Sequence, residues 1–311
     1  MKLSSYKKNP KKLLVLICFL VLTVLFSDGL DNIGSKSYAL LEQLLNASEV
    51  INEDLPSLKE KQDMRVHYID VGQGDSIFIE LPNEETMLID AAENDQADKI
   101  SSYIKRYGYN EITYLIGTHP HSDHIGGMSS IVENFDIKNI YMPKAVSVSK
   151  TYENLLNTIS NKNLKIKTAK TGVNIINTQE LNISFIAPNK DEYDELNNYS
   201  AIVRIKYKDR VFLFMGDAEK ESESELAGDL KADVIKVGHH GSDTSSSLAF
   251  AKKVKPEYAI ISVGIDNKYN HPVKTILNRW ELLGAKIYRT DLNGDIIITT
   301  NGKTLDIKTT K

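Results

Sequence analysis

From residue 64 onward the hydrophobic pattern breaks into short β-like runs. The runs at 65–71, 76–81 and 86–90 each predict a β-strand. Helical spacing follows at 97–107, then a more continuously apolar strand at 112–118. Later strands are expected at 139–142, 164–168, 181–187, 201–207, 211–215, 234–237, 258–263, 286–289, 295–299 and 304–307. Helices fit 127–134, 151–162, 219–226, 245–254 and 273–283. Hairpin-like strand pairs and strands that precede helices both occur, which predicts an α/β domain over 63–311 with two mixed sheets and helices outside.

The first 62 residues follow another pattern. Residues 13–26 (LLVLICFLVLTVLF) are apolar except for Thr23, with lysines before them and Ser27-Asp28-Gly29 after them. That is the layout of a secretory signal, and residues 1–27 are read as a signal peptide or an N-terminal membrane anchor. The expected location is secreted, or attached through 13–26 to the outer face of the cytoplasmic membrane. Residues 28–62 are polar with one amphipathic stretch near Tyr38–Leu45, which predicts a linker with a short helix.

Composition narrows the chemistry. With 26% charged and 41% hydrophobic residues, the chain is neither largely disordered nor polytopic in a membrane. Its single cysteine, Cys18, lies inside the apolar leader, so any metal site must be built from histidines and carboxylates. The leader carries Lys2, Lys7, Lys8, Lys11 and Lys12 and no acid. Removing these five from the 38 basic residues leaves 33 against 42 acidic ones. A body that acidic needs a metal or a local basic patch to hold a polyanion. Lys162, Lys165, Lys167 and Lys170, or Lys252, Lys253 and Lys255, could supply such a patch or simply form solvated faces.

Thr118-His119-Pro120-His121-Ser122-Asp123-His124 places three imidazoles and a carboxylate within six positions, at a strand end and before Gly126-Gly127. Side chains of this kind on a tight loop can converge on Zn²⁺, Mn²⁺ or Fe²⁺. Asp217, after an apolar strand, suits either a ligand or a helix cap. His239-His240 offers a ligand, His240 being favoured, with the other ring touching a phosphate oxygen or supporting the site. His271 is either a satisfied loop histidine or a group that contacts substrate or donates a proton. His67, within a strand pattern, is read as structural. Gln73-Gly74-Asp75-Ser76 reads as a turn that buttresses the histidine loop.

His119-x-His121-x-Asp123-His124 resembles the signature of the metallo-β-lactamase superfamily. Met87-Leu88-Ile89-Asp90 and Phe212-Leu213-Phe214-Met215-Gly216-Asp217 resemble two further family segments in the same order. Asp70-Val71-Gly72-Gln73-Gly74-Asp75-Ser76, Asn198-x-Ser200, Gly238-His239-His240-Gly241-Ser242 and Asn270-His271-Pro272 resemble one branch. That branch comprises the hydrolase domain of ComEC-type DNA-uptake proteins and, more distantly, teichoic-acid phosphorylcholine esterases. The resemblance spans about 64–308. It implies a hydrolase domain standing alone behind an export signal.

The resemblance further implies an αββα four-layer sandwich and two divalent metal ions, zinc foremost and manganese next. His119 and His121 would hold one ion. Asp123, His124 and a histidine of the 239/240 pair would hold the other, with Asp217 bridging. Asp90 and Asp75 would brace the loop. The superfamily's usual third histidine for the first ion has no counterpart between His124 and Asp217, where Asn198 and Ser200 stand instead. The implied activity is hydrolysis of a phosphodiester, either DNA or a small envelope-linked one, by a metal-activated hydroxide. Asp123, Asp217 and His271 would serve catalysis, and no protein partner is expected. Lactone or thioester hydrolysis, or a catalytically weak protein that binds the envelope or nucleic acid, is the alternative.

Overall fold

The computed structural model describes residues 63–311. The leader at 1–27 and the linker at 28–62 lie outside the described residues. Among those described, no helix is long and apolar enough to cross a membrane.

One sheet is laid down mainly by the first half of the domain. Strands β1 (Met64–Tyr68), β2 (Ile77–Glu80) and β3 (Thr86–Ile89) pair antiparallel. Then β4 (Glu111–Ile116), β5 (Asp136–Met142) and β6 (Ile166–Thr168) add in parallel beyond β3. The last two strands, β14 (Ile296–Thr300) and β15 (Asp306–Thr309), return to the β1 edge. The second sheet repeats the plan. Strands β7 (Asn174–Asn177), β8 (Leu181–Phe185), β9 (Val203–Tyr207) and β10 (Arg210–Phe214) are antiparallel neighbours. Strands β11 (Val234–Lys236), β12 (Tyr258–Ile261) and β13 (Lys286–Arg289) then follow in parallel.

Strand alternation decides which side chains lie between the sheets. Ile77, Ile79, Met87 and Ile89 of the first sheet meet Phe212, Phe214 and Val234 of the second in one core. Their neighbours point the other way. Phe78 and Leu88 pack under α1 (Ala97–Arg106), α3 (Met128–Asn134) and α4 (Lys150–Asn161), with α2 (Ser122–Ile125) as a single turn ahead of α3. Leu213 and Ile235 pack under α6 (Leu248–Val254) and α7 (Lys274–Leu282). Helix α5 (Lys220–Glu225) and the turn α8 (Thr290–Asn293) complete the set. These layers form the αββα sandwich that the sequence resemblance implies.

His67 occupies the outer face of β1 and is structural. Its Nε2 lies 2.9 Å from Glu80 Oε1, and its Nδ1 lies 3.0 Å from the Tyr103 hydroxyl. Arg65 and Tyr109 also bond Glu80, at 3.0 and 2.7 Å. Strand β7 and turn α8 were not anticipated, because Asn174–Asn177 and Thr290–Asn293 are too short and polar to show a period.

Candidate metal centre

Four loops at the same edge of the sandwich bring the histidines and aspartates together. β3 runs into Asp90, β4 into His119–His124, β10 into Asp217 and β11 into His239-His240. The histidine loop is clamped from both sides. Asp75 N donates to the Asp123 carbonyl at 3.1 Å, and Ala91 N donates to that of His124 at 2.7 Å. Gly74 (φ +132°) permits the first contact, because a Cβ there would sit 2.4 Å from the Asp123 carbonyl oxygen.

Asp90, fully buried and left-handed (φ 59°), orients the loop without joining the centre. It accepts hydrogen bonds from Thr118 N (2.8 Å), Thr118 Oγ1 (2.7 Å) and His124 Nδ1 (2.8 Å). Because the Thr118 hydroxyl spends its proton on Asp90, it receives the Nδ1–H of His119 at 3.1 Å. His240 donates its Nδ1–H to the Ser262 carbonyl at 2.9 Å. His119, His124 and His240 therefore all turn Nε2 inward as the ligating nitrogen, each oriented by an Nδ1 partner.

The inward atoms lie at ligand spacing. His124 Nε2 is 3.2 Å from Asp217 Oδ2 and 3.9 Å from Asp123 Oδ2. His240 Nε2 is 3.3 Å from Asp123 Oδ2 and 3.5 Å from Asp217 Oδ2. Four donors each about 2.1 Å from one ion in a tetrahedron would stand about 3.4 Å apart. These four residues form a group able to hold a metal ion. His124 Nε2, His240 Nε2 and Asp217 Oδ1 are also buried with no hydrogen-bond partner. Buried polar atoms are normally satisfied, so two such imidazole nitrogens facing the same Asp217 carboxylate fit a cation between them.

The second pole is leaner. His119 Nε2 lies 3.0 Å from His121 Nδ1 and 3.9 Å from Asp217 Oδ2. Ser200 stands beside them, its Oγ accepting from Asp217 N at 3.0 Å and lying 3.5 Å from His119 Nδ1. Asn198 is not at the centre. Its Oδ1 accepts from Glu219 N and Ser222 N at 3.2 and 3.3 Å and so caps the start of α5. His239 and His240 are both left-handed (φ 49° and 51°), which curls both rings toward Asp217. His239 is held through Nδ1 by Thr244 Oγ1 (3.0 Å) and Glu219 (3.2 Å), and its Nε2 stays 3.8 Å from Asp217 Oδ2.

The charge distribution is strongly polarised. Burial opposes the cationic form of His124, yet Asp217, Asp123 and Asp90 outweigh it and hold its pKa well above the ordinary value. His240 is raised in the same way, burial being overcome by Asp217 and Asp123. Burial opposes ionisation of Asp217 and Asp123, but the neighbouring histidines hold both well below the carboxylate range. His119 is lowered by burial and by His124. A divalent cation held by these donors would offset the buried negative charge of Asp217 and Asp123.

The centre opens into a cleft of about 300 Å³ lined also by Gln73, Asn197, Tyr269 and His271. His271 is half-buried, and burial together with His239 and His240 pushes its pKa down to about 4. The neutral ring presents a hydrogen-bonding face to the cleft, with Tyr269 stacked on it at 5.7 Å.

Sequence reading passed over Lys236 and Tyr269 here, and took Gln73 only as part of a buttressing turn. Lys236 is fully buried beneath the centre, its Nζ 2.5 Å from Asp75 Oδ2. The signal was available, since Lys236 shares the inward face of β11 with Val234. Gln73 fixes its carboxamide by accepting from Gly264 N at 3.3 Å, which leaves its Nε2 buried and unpartnered beside the cleft. Tyr269 had no signal, since exposed tyrosines are common.

The chain is 29% identical over 251 residues to ComE operon protein 3 of Bacillus subtilis, covering 74% of this chain and 32% of that protein. It is 28% identical over 289 residues to competence protein ComA of Neisseria gonorrhoeae, covering 92% and 38%. The chain thus spans about a third of the length of these relatives. Among solved structures, the metallo-β-lactamase-fold protein YhfI from Bacillus subtilis aligns with a TM-score of 0.50 at 12% identity, over 76% of this chain and 99% of that one. CmlA, a diiron β-hydroxylase from Streptomyces venezuelae, aligns at 0.51 and 13%, over 78% and 54%. At such identities these two show the fold, and the reaction is left to the site. The profile of the metallo-β-lactamase superfamily matches residues 69–265, and the chain belongs to that superfamily.

Proposed function

We propose that this protein is a metal-dependent phosphodiesterase that works outside the cytoplasmic membrane, carried there by residues 13–26. The observation that carries the reading is the convergence of His124 Nε2 and His240 Nε2, both buried without a hydrogen-bond partner, on the carboxylates of Asp217 and Asp123, beside a cleft whose lining holds no lysine, arginine or cysteine. Two divalent ions bound there, zinc foremost, would supply a water reactive at neutral pH and polarise the bond under attack.

The chain's own residues do the rest. Asp123, His124, His240 and Asp217 would hold one ion, and His119 and His121 with Asp217 would hold the other. The two carboxylates would offset the charge of the ions. Asp90 and Asp75 hold the loop so that the donors need not reorganise. His271 and Gln73 face the cleft as hydrogen-bonding groups for the non-bridging and leaving oxygens of a phosphodiester. The names of the competence-protein relatives support a nucleic-acid strand over a small envelope phosphodiester.

The test is Asp217→Ala in the full-length chain, assayed on bis(nitrophenyl) phosphate and on single-stranded DNA with elemental analysis alongside. Turnover should fall more than about a thousandfold, because the metal pair supplies several kcal/mol, and bound metal should drop while the circular dichroism spectrum is kept. Undiminished activity would refute the bridging role. Cell fractionation that finds the protein in the cytosol would refute the location.

A further inference from the structure

The metal cleft contains no lysine or arginine, so it offers a chain of phosphates nothing beyond the one position at the metals. A second indentation lies along the same loop edge. Its lining includes Lys144, Lys170 and Lys190, one acid, Asp191, and Pro188 and Tyr199.

The sheet topology fixes its position. Lys144 follows β5, and Lys170 follows β6; β6 is two strands beyond β4, whose end carries His119. Pro188 follows β8, two strands from β10, whose end carries Asp217. The two sheets are joined at this point, where Thr171 N donates to the Pro188 carbonyl at 3.0 Å. Two strand spacings place the indentation about 10 Å from the metal centre. The short turn Leu196–Tyr199 is the ridge between them, with Asn197 facing the metal cleft and Tyr199 the lysines.

The three lysines are not equivalent. Lys190 is tied to Glu221 at 2.8 Å and to Glu225 at 2.5 Å. Lys144 and Lys170 are exposed and have no ion-pair partner among the described residues. Elsewhere in the 162–170 run, Lys162 reaches the Glu133 carbonyl at 3.4 Å and Lys167 reaches Asn139 at 2.7 Å. Of the four lysines in that run, Lys170 alone lines the indentation. The space between the lysines is about 20 Å³, which suits an oxygen of a phosphate and not a base or sugar.

Building on the phosphodiesterase reading, we propose that Lys144 and Lys170 form a second phosphate subsite. It would seat the backbone of a single-stranded nucleic acid whose scissile phosphate lies at the metals. A strand is favoured over a polymer without bases because Tyr269, 52% exposed and stacked on His271, offers a ring at the other rim of the metal cleft.

The test compares the full-length metal-loaded chain with its Lys144→Ala/Lys170→Ala variant. Binding of fluorescein-labelled phosphorothioate dT15, which resists hydrolysis, is read by anisotropy from 50 to 300 mM salt. Each phosphate neutralised contributes about 0.7 to the slope of log K against log salt, so loss of this one subsite should lower the slope by about 0.7. Affinity at 150 mM salt should fall about fourfold by the same relation. Hydrolysis of bis(nitrophenyl) phosphate, which has one phosphate, should stay unchanged.

Failure of the wild type to bind dT15 at 50 mM salt, or an unchanged affinity and slope in the variant, overturns the subsite. Lysine-dependent binding of poly(glycerol phosphate) without binding of dT15 overturns its assignment to nucleic acid. If the wild type hydrolyses no phosphodiester yet dT15 binding still depends on the two lysines, the subsite stands and the phosphodiesterase reading is the one that fails.

Discussion

Lys236→Met keeps the length of the side chain and removes its charge. Lys236 and Asp75 are 0% and 1% exposed, with Nζ 2.5 Å from Oδ2, and neither Asp75 oxygen has another hydrogen-bond partner. The change leaves a carboxylate buried and uncompensated, which typically costs about 3–5 kcal/mol. For a domain of this size that lowers the melting midpoint by about 10 °C. Urea unfolding can be followed through Trp280, the sequence's single tryptophan, which is fully buried. Lys236→Met/Asp75→Asn should recover up to about 3 kcal/mol relative to the sum of the single changes. A second consequence reaches the metal centre. Asp75 lies 3.5 Å from His240 Nδ1 and 3.9 Å from His124 Nδ1, so the exposed negative charge sits directly under two of the donors. Added Zn²⁺ should therefore stabilise Lys236→Met by more than it stabilises the wild type. A single variant within about 1 kcal/mol of wild type, or a cycle that is additive within about 0.5 kcal/mol, would refute a buried ion pair at this position.

Gly74→Ala should cost about 1–3 kcal/mol, since it strains a backbone at φ +132° and drives a Cβ against the Asp123 carbonyl; an unchanged melting midpoint and turnover would contradict the clamp. Stability should also fall in acid. Burial lowers the pKa of His67, and that of Glu80 is lowered because His67, Tyr109 and Arg65 outweigh its own burial. The unfolded chain then binds more protons, so stability is lost below about pH 6.5 through His67 and below about pH 4.3 through Glu80. Glu80→Gln should flatten the lower part of a plot of unfolding free energy against pH. Metal removal should lower the melting midpoint by about 5–10 °C relative to protein at a hundredfold excess over Kd. Calorimetric titration should show the four-donor pole filling before the pole of His119 and His121, and two equal sites would contradict that asymmetry.

The strands were legible because their apolar runs are short and separated by polar turns, although β1, β2 and β3 are buried on both faces, and two mixed sheets read from their number and order. The histidine loop was legible for another reason, since three imidazoles and Asp123 are local in sequence and need no tertiary contact to be noticed. What joins them was less legible. Lys236 lies on the inward face of β11, and nothing in the sequence pairs it with Asp75 of a distant turn in the opposite sheet. The lysine run at 162–170 looked like one feature, yet the fold divides it, tying Lys162 and Lys167 to the helix–sheet face and sending Lys170 alone to the loop edge. The adjacent pair His239-His240 was expected to diverge, as neighbours usually do. Two consecutive left-handed residues reverse that expectation by curling the chain around Asp217.

The place of the centre follows from the order of the strands. In each sheet one strand has an antiparallel neighbour on one side and a parallel neighbour on the other. These strands are β3, between β2 and β4, and β10, between β9 and β11. Where parallel pairing begins, two neighbouring strands end at the same edge, and their outgoing loops leave side by side. The loops after β3 and β4 bring Asp90 and His119–His124, and those after β10 and β11 bring Asp217 and His239-His240. Facing the two sheets sets these two pairs of loops against each other. That explains why residues far apart in sequence meet in one small volume while the hydrophobic core below them is undisturbed. It also explains why the outer strands of the same edge, β5, β6 and β8, are free to carry Lys144, Lys170 and Lys190. Their side chains line a separate indentation and not the cleft at the candidate metal centre.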